Sequence, residues 1–224
     1  MTTARFSNPF TKRGKLPLVV SVVMAAVLWF IMFSPWTAPQ VNFWAFMAAS
    51  AIVLTCFALI FGGRKSLGLE GIGSGSAFVK TCVLGFVIAA LLWGIFYVGD
   101  KVSQLLFSFA RPQVDNIYDI KGTLSPTLLA LLLLFVIGPA EEIFWRGYVQ
   151  RTLSNFRSPL FAFIVTTMCY TFIHLPSGNF MLIMAALVCG IVWGGLYYFM
   201  PNRLTAIIIS HALWDAAAFV WLPF

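Results

Sequence analysis

The chain has 224 residues, of which 61% are hydrophobic and only 9% are charged. Soluble domains carry about 25% charged residues, so this chain cannot cover a water-facing surface and is predicted to lie largely in the lipid bilayer. The formal net charge is +7, but the few basic residues are scattered between apolar runs, which excludes the basic face that nucleic-acid binding needs.

The N-terminal segment 1–15 is basic, and an apolar run follows it at 16–33. The run is longer than the apolar region of a secretory signal peptide, which is about 7–15 residues. It is therefore predicted to be the first membrane span, preceded by a cytoplasmic basic N-terminus.

Seven apolar segments are long enough to cross a hydrocarbon core of about 30 Å as helices. Their apolar runs are continuous and not alternating, which disfavours the strands of a membrane barrel. We therefore predict an all-α, polytopic transmembrane helical bundle of about seven spans, with an eighth left open. The predicted spans are 16–33, 41–61, 78–98, 125–152, 159–174, 179–199 and 203–221.

Basic residues gather in alternate connections, which predicts an N-terminus on the inner side of a membrane, most simply the bacterial cytoplasmic membrane. Between the third and fourth spans, residues 101–110 have the apolar spacing of an interfacial amphipathic helix, which Arg111 and Pro112 are expected to end. The chain is thus divided into N-terminal helices with this interfacial segment, 16–123, and a core, 124–224, within one membrane domain.

Six ionisable residues stand out within the last four spans. Such a group costs at least about 2.5–3.5 kcal/mol at the bilayer centre, so its presence there usually reflects a function. A helix rise of about 1.5 Å per residue places four of them in one layer, roughly 14–24 Å from the inner edge, where they are expected to share a cavity. The six are Glu141, Glu142, Arg146, His174, His211 and Asp215, of which Glu141, His174, His211 and Asp215 form the layer.

A carboxylate and an imidazole beside a cavity can hold and deprotonate a water molecule, and a second His/Asp pair can stabilise an oxyanion. The same four side chains could instead coordinate Zn²⁺, although the HExxH pattern is absent. Glu142 and Arg146 have the i, i+4 spacing of a structural ion pair. Glu141 points about 100° away from Glu142 on the helix and is free to face the cavity.

These residues form three short patterns on three separate spans. Glu141, Glu142 and Arg146 give EExxxR, and Tyr170 with His174 gives YxxxH. In the last span His211 and Asp215 give HxxxD.

In this order the patterns resemble the motifs EExxxR, FxxxH and HxxxN of the CAAX-protease and bacteriocin-processing (CPBP, or Abi) intramembrane proteases. The resemblance covers about residues 120–221 and differs by Tyr170 for Phe and Asp215 for Asn. It implies an intramembrane endopeptidase acting on a membrane-embedded or lipidated protein or peptide, prenylated or of the bacteriocin type.

The resemblance also implies a role for each residue. Glu141 would be the general base, helped by His174, and Glu142 a supporting acid paired with Arg146. His211 and Asp215 would form the oxyanion site. Because many family members are regarded as metalloproteases, zinc stays open as a cofactor, with Glu141, His174, His211 and Asp215 as candidate ligands.

Two other interpretations stay open. An ionised Asp cannot donate a hydrogen bond to an oxyanion, so Asp215 must be protonated, orient His211 or bind a metal. Intramembrane ionisable groups also mark transport pathways, although the halves of this chain show no repeat. A transporter, or a catalytically inactive scaffold or immunity protein, is therefore the alternative to an enzyme.

Overall fold

The computed structural model describes residues 15–69, 72 and 74–224, and it shows eight helices and no strand among them. Seven of these helices are long and apolar enough to cross a membrane, which confirms the predicted all-α bundle of seven spans. The basic segment predicted at 1–15 lies outside the described residues except for Lys15. The helices are α1 (Lys15–Phe33), α2 (Phe43–Gly62), α3 (Ser76–Leu106), α4 (Ala110–Asp119), α5 (Pro126–Phe156), α6 (Pro159–Ser177), α7 (Phe180–Phe199) and α8 (Pro201–Trp221).

Four spans begin at a polar residue whose side chain caps the helix. In each case the side-chain oxygen accepts a hydrogen bond from the backbone N–H three residues later, which satisfies one of the free donors of the first turn. Proline follows two of these caps, at a position where its missing N–H has no consequence. The caps are Asn42, Ser125, Ser158 and Asn179.

The prediction of an amphipathic helix at 101–110 is wrong in its position. The third span continues through this segment to Leu106, because the carboxylate of Asp100 is bonded on its own helix by Lys101 and by Gln104 at 2.6 Å. The separate amphipathic helix is α4, which begins at Ala110. The Arg111–Pro112 pair therefore starts a helix instead of ending one, since proline fits the first helical turn.

The last span and α5 form the centre of the bundle. In the most apolar 18-residue stretch of each helix, 56% of the residues of α8 and 50% of those of α5 are buried. The corresponding share in α1, α2 and α3 is 22–28%. Gly138 brings α5 against α8, where a Cβ atom would lie 2.8 Å from the Cα atom of Ala212. The two helices that carry EExxxR and HxxxD thus meet backbone to backbone.

Helix α5 is not uniform along its length. A short α-helical stretch, Gly138–Glu142, lies between two wider, π-helical stretches at Leu133–Ile137 and Ile143–Gln150. Wide turns of this kind change which face of a helix the following residues occupy, and they are frequent at functional sites. Here they border the turn that carries both glutamates.

Candidate active site

A cavity of about 550 Å³ lies inside the bundle, and residues of all three sequence patterns line it. Its wall is mostly apolar and aromatic, with contributions from every span and from α4. The four residues that depth arguments place in one layer all reach it. The polar side chains from the three patterns in the wall are Glu141, Tyr170, His174, His211 and Asp215.

Glu141 on α5 faces this cavity and is 6% exposed. Its Oε2 atom accepts a hydrogen bond of 3.1 Å from the hydroxyl of Tyr170 on α6. Its Oε1 atom makes no hydrogen bond within the described part of the chain. One oxygen of the carboxylate is therefore held, and the other is available to a water molecule.

Glu142 is fully buried and points away from the cavity toward α8. Its Oε1 atom accepts hydrogen bonds from Arg146 at 2.7 Å and from the Nδ1 atom of His211 at 2.8 Å. The ion pair expected from the i, i+4 spacing is present, and both partners are at most 1% exposed in their side chains. The carboxylate also joins α5 to α8, which spacing within one helix does not predict.

His211 is held on both sides and on one face. Its Nε2 atom lies 3.3 Å from the Oδ2 atom of Asp215, and Glu142 accepts from its Nδ1 atom. The ring stacks on Trp193 of α7, with centroids 3.8 Å apart and planes 17° apart. A carboxylate lies within 3.3 Å of each ring nitrogen, and nearby negative charge stabilises the protonated imidazole, so this arrangement favours a positively charged ring beside the cavity.

His174 lies near the end of α6, and both of its nitrogens have partners. Its Nδ1 atom is 2.8 Å from the backbone oxygen of Tyr170, and its Nε2 atom is 3.3 Å from the indole nitrogen of Trp29 on α1. A carbonyl only accepts and an indole N–H only donates, so the ring is neutral with its proton on Nδ1. A water molecule can donate a hydrogen bond to Nε2 only after the hydrogen bond from the indole of Trp29 has broken.

These side chains do not form a ready metal site. Within the described residues there is no group of three or more His, Cys, Asp or Glu side chains placed to hold a metal ion. The two histidines are occupied by different partners, His174 by Trp29 and Tyr170, and His211 by Glu142 and Asp215. The donor set therefore does not fit the zinc ligation that the sequence left open.

Three aromatic residues belong to the site without having been assigned a role from the sequence. The sequence identified Tyr170 only as a replacement for Phe in the second pattern. Its hydroxyl contact with Glu141 was not predicted because it joins two different helices. Trp193 and Trp29 carry no motif, and Trp29 lies in a span with no match to the three patterns. The guanidinium of Arg146 lies over the rings of Tyr170 and Trp193, at 5.0 and 5.8 Å from their centroids.

Comparison with known proteins agrees with the motifs. Residues 123–217 match the family model described as Rce1-like, type II CAAX prenyl endopeptidase. The matched segment contains α5, α6, α7 and most of α8, and so all three sequence patterns. Neither the curated proteins nor the solved structures contain a significant match to the chain.

Proposed function

We propose that this chain, a member of the CAAX-protease (CPBP) family by its residues 123–217, is an intramembrane endopeptidase in which Glu141 activates the attacking water. One observation carries the proposal. Glu141 lines the cavity with one oxygen held by Tyr170 and the other unbonded, and His211 with Asp215 lines the same cavity. A base and an electropositive group thus share one space, as hydrolysis of an amide requires.

The reaction follows from these positions. Glu141 takes a proton from a water molecule through Oε1 while the oxygen of that water attacks the substrate carbonyl. The resulting oxyanion is stabilised by the charge of His211, which Glu142 and Asp215 hold in place. The protonated Glu141 then gives its proton to the leaving nitrogen as the C–N bond breaks.

His174 is assigned a supporting role. In the family resemblance it helps to hold the water, and its position four residues after Tyr170 places it on the cavity wall. Its one free lone pair, on Nε2, receives the indole N–H of Trp29 in this structure. His174 therefore supports the water after the indole has moved aside.

The substrate we propose is a membrane-associated peptide or protein, prenylated or of the bacteriocin type. The cavity continues from Glu141 past aromatic side chains toward Phe33, Phe43 and Phe180 at the helix ends. Such a wall favours an apolar chain next to the scissile bond because burying that chain removes apolar surface from water.

The test uses the full chain in liposomes and an internally quenched peptide that ends in a farnesylated cysteine followed by three residues. Wild type is expected to release the three residues, and Glu141→Gln to leave the peptide intact. An unprenylated peptide of the same sequence measures the contribution of the lipid. Activity that is lost with a chelator and restored by zinc would replace the glutamate mechanism with a metal-dependent one.

Three results would remove the assignment. Cleavage of both peptides at equal rates by wild type and Glu141→Gln would exclude Glu141 as the base. Proton-coupled flux that needs Glu141, with no cleavage of either peptide, would indicate a transporter. Neither cleavage nor flux would indicate an inactive scaffold or immunity protein.

A further inference from the structure

Tyr170 contacts three other residues of the sequence patterns, Glu141, His174 and Arg146. Its hydroxyl donates to Glu141, and its backbone oxygen lies 2.8 Å from the Nδ1 atom of His174. Its ring packs edge-on against His174, with centroids 5.3 Å apart, and lies under the guanidinium of Arg146. The side chain is 5% exposed, so its hydroxyl is shielded from bulk water.

The hydroxyl and the ring of Tyr170 contact different partners, so a substitution can remove one set of contacts and keep the other. Phenylalanine would keep the ring contacts with His174 and Arg146, and it would keep the backbone oxygen. It would remove only the O–H group, whose hydrogen-bond acceptor is the Oε2 atom of Glu141. Any consequence specific to the hydroxyl therefore passes through the orientation of that carboxylate.

We propose that the Tyr170 hydroxyl is a positioning group for Glu141; this rests on the proposed function. By occupying Oε2 it directs Oε1 toward the water. Because a hydroxyl that donates to Oε2 disfavours a proton on that atom, it also keeps the proton taken from water on Oε1. That proton is then on the oxygen nearest the leaving nitrogen, and no extra proton transfer within the carboxyl group is needed.

A second consequence is that Tyr170 links the two residues that handle the water. It fixes the carboxylate of Glu141 through its side chain and the tautomer of His174 through its main chain. Only the first link depends on the residue type. The departure from Phe at this position therefore adds a contact to the base and leaves the histidine contact unchanged.

The experiment compares Tyr170→Phe with wild type in liposomes, on the farnesylated quenched peptide. We expect kcat to fall about tenfold, because a carboxylate free to rotate spends less time in the productive orientation, and KM to change less than about twofold. The matched control is Tyr148→Phe, which removes the hydroxyl of a buried tyrosine that does not line the cavity. It should leave kcat unchanged.

A double-mutant cycle separates positioning from a structural effect. In Glu141→Asp the carboxylate is one methylene shorter and withdraws from the hydroxyl, so adding Tyr170→Phe should lower kcat by less than about twofold. An equal loss in both backgrounds, or an unchanged kcat in Tyr170→Phe while wild type cleaves the peptide, would overturn the positioning role alone. A wild type that cleaves nothing would overturn this proposal together with the proposed function.

Discussion

Asp215 places its Oδ2 atom 3.3 Å from the Nε2 atom of His211 and also lines the cavity. Of the three roles that the sequence left open, orienting His211 is the one this contact favours. In the proposed reaction, Asp215 then acts on the oxyanion through the imidazole of His211. An asparagine could do the same, since its oxygen accepts from His211, and its amide nitrogen could also donate to the oxyanion.

Asp215→Asn is therefore expected to change kcat on the farnesylated peptide by less than about threefold, whereas Asp215→Leu should lower it by about 10²- to 10³-fold, as loss of an oxyanion-stabilising group does. Steady-state kinetics on both variants measures the difference, with thermal unfolding in detergent as the control for folding. A loss as large in Asp215→Asn as in Asp215→Leu would show that the reaction needs the negative charge.

The residue types of the site were predictable, but their partners were only partly so. The Glu142–Arg146 pair follows from i, i+4 spacing because both side chains lie on one helix. The bond from His211 to the same carboxylate oxygen joins residues 69 positions apart, and Trp29 reaches His174 across 145 positions. Contacts of this kind depend on how helices are arranged, and no local pattern contains that information.

At the scale of helices, the distance between α5 and α8 decides whether the site forms. Glu142 must come within hydrogen-bond distance of His211, and Gly138, one turn earlier on α5, lets the two backbones approach. A Cβ atom at Gly138 would lie 2.8 Å from the Cα atom and 3.0 Å from the backbone nitrogen of Ala212. Neither backbone atom can move away without displacing α8.

Gly138→Ala is thus expected to lower both the melting temperature in detergent and kcat, because it separates the two helices at the site. Gly94→Ala is the matched control, since Gly94 lies in α3 with no atom within 4 Å of an added Cβ. It should leave kcat unchanged and keep or slightly raise stability, because alanine favours helices over glycine by about 1 kcal/mol. Equal behaviour of the two variants would mean that the α5–α8 contact does not control the site.

Helix positions were predicted well where the apolar runs had clear ends, and less well where a polar residue interrupted them. The third span was predicted at 78–98, yet α3 continues to Leu106 because Lys101 and Gln104 bond the carboxylate of Asp100 locally. The wide turns of α5 were not predicted, although Gly138 and Pro139 directly follow the first of them and Gly147 lies within the second.

At the scale of the whole molecule, the cavity extends toward one end of the bundle. Three residues of its wall mark this end of the bundle: Phe33 ends α1, Phe43 begins α2 and Phe180 begins α7. This end is opposite the one at which α1 begins. The ammonium group of Lys15, by contrast, lies over the ring of Phe156 at the end of α5. With the basic connections inside, we propose that the substrate reaches Glu141 from the outer side of a bacterial cytoplasmic membrane.

Cysteine labelling in intact cells tests this orientation. Trp36 is 75% exposed in the connection between α1 and α2, and Lys65 is exposed in the connection after α2. A membrane-impermeant maleimide should label Trp36→Cys in intact cells and Lys65→Cys only after permeabilisation. The native cysteines all lie within spans, which keeps the background low. Labelling in the reverse order would place the N-terminus and the basic connections outside.

The proposed role of Glu141 as the group that activates water is tested by the variant Glu141→Gln. The amide oxygen of glutamine can still accept the Tyr170 hydroxyl, so the fold should persist with a melting temperature close to that of wild type. We expect kcat for the farnesylated peptide to fall at least about 10²-fold in this variant. A folded Glu141→Gln protein that cleaves the peptide at the wild-type rate would contradict it.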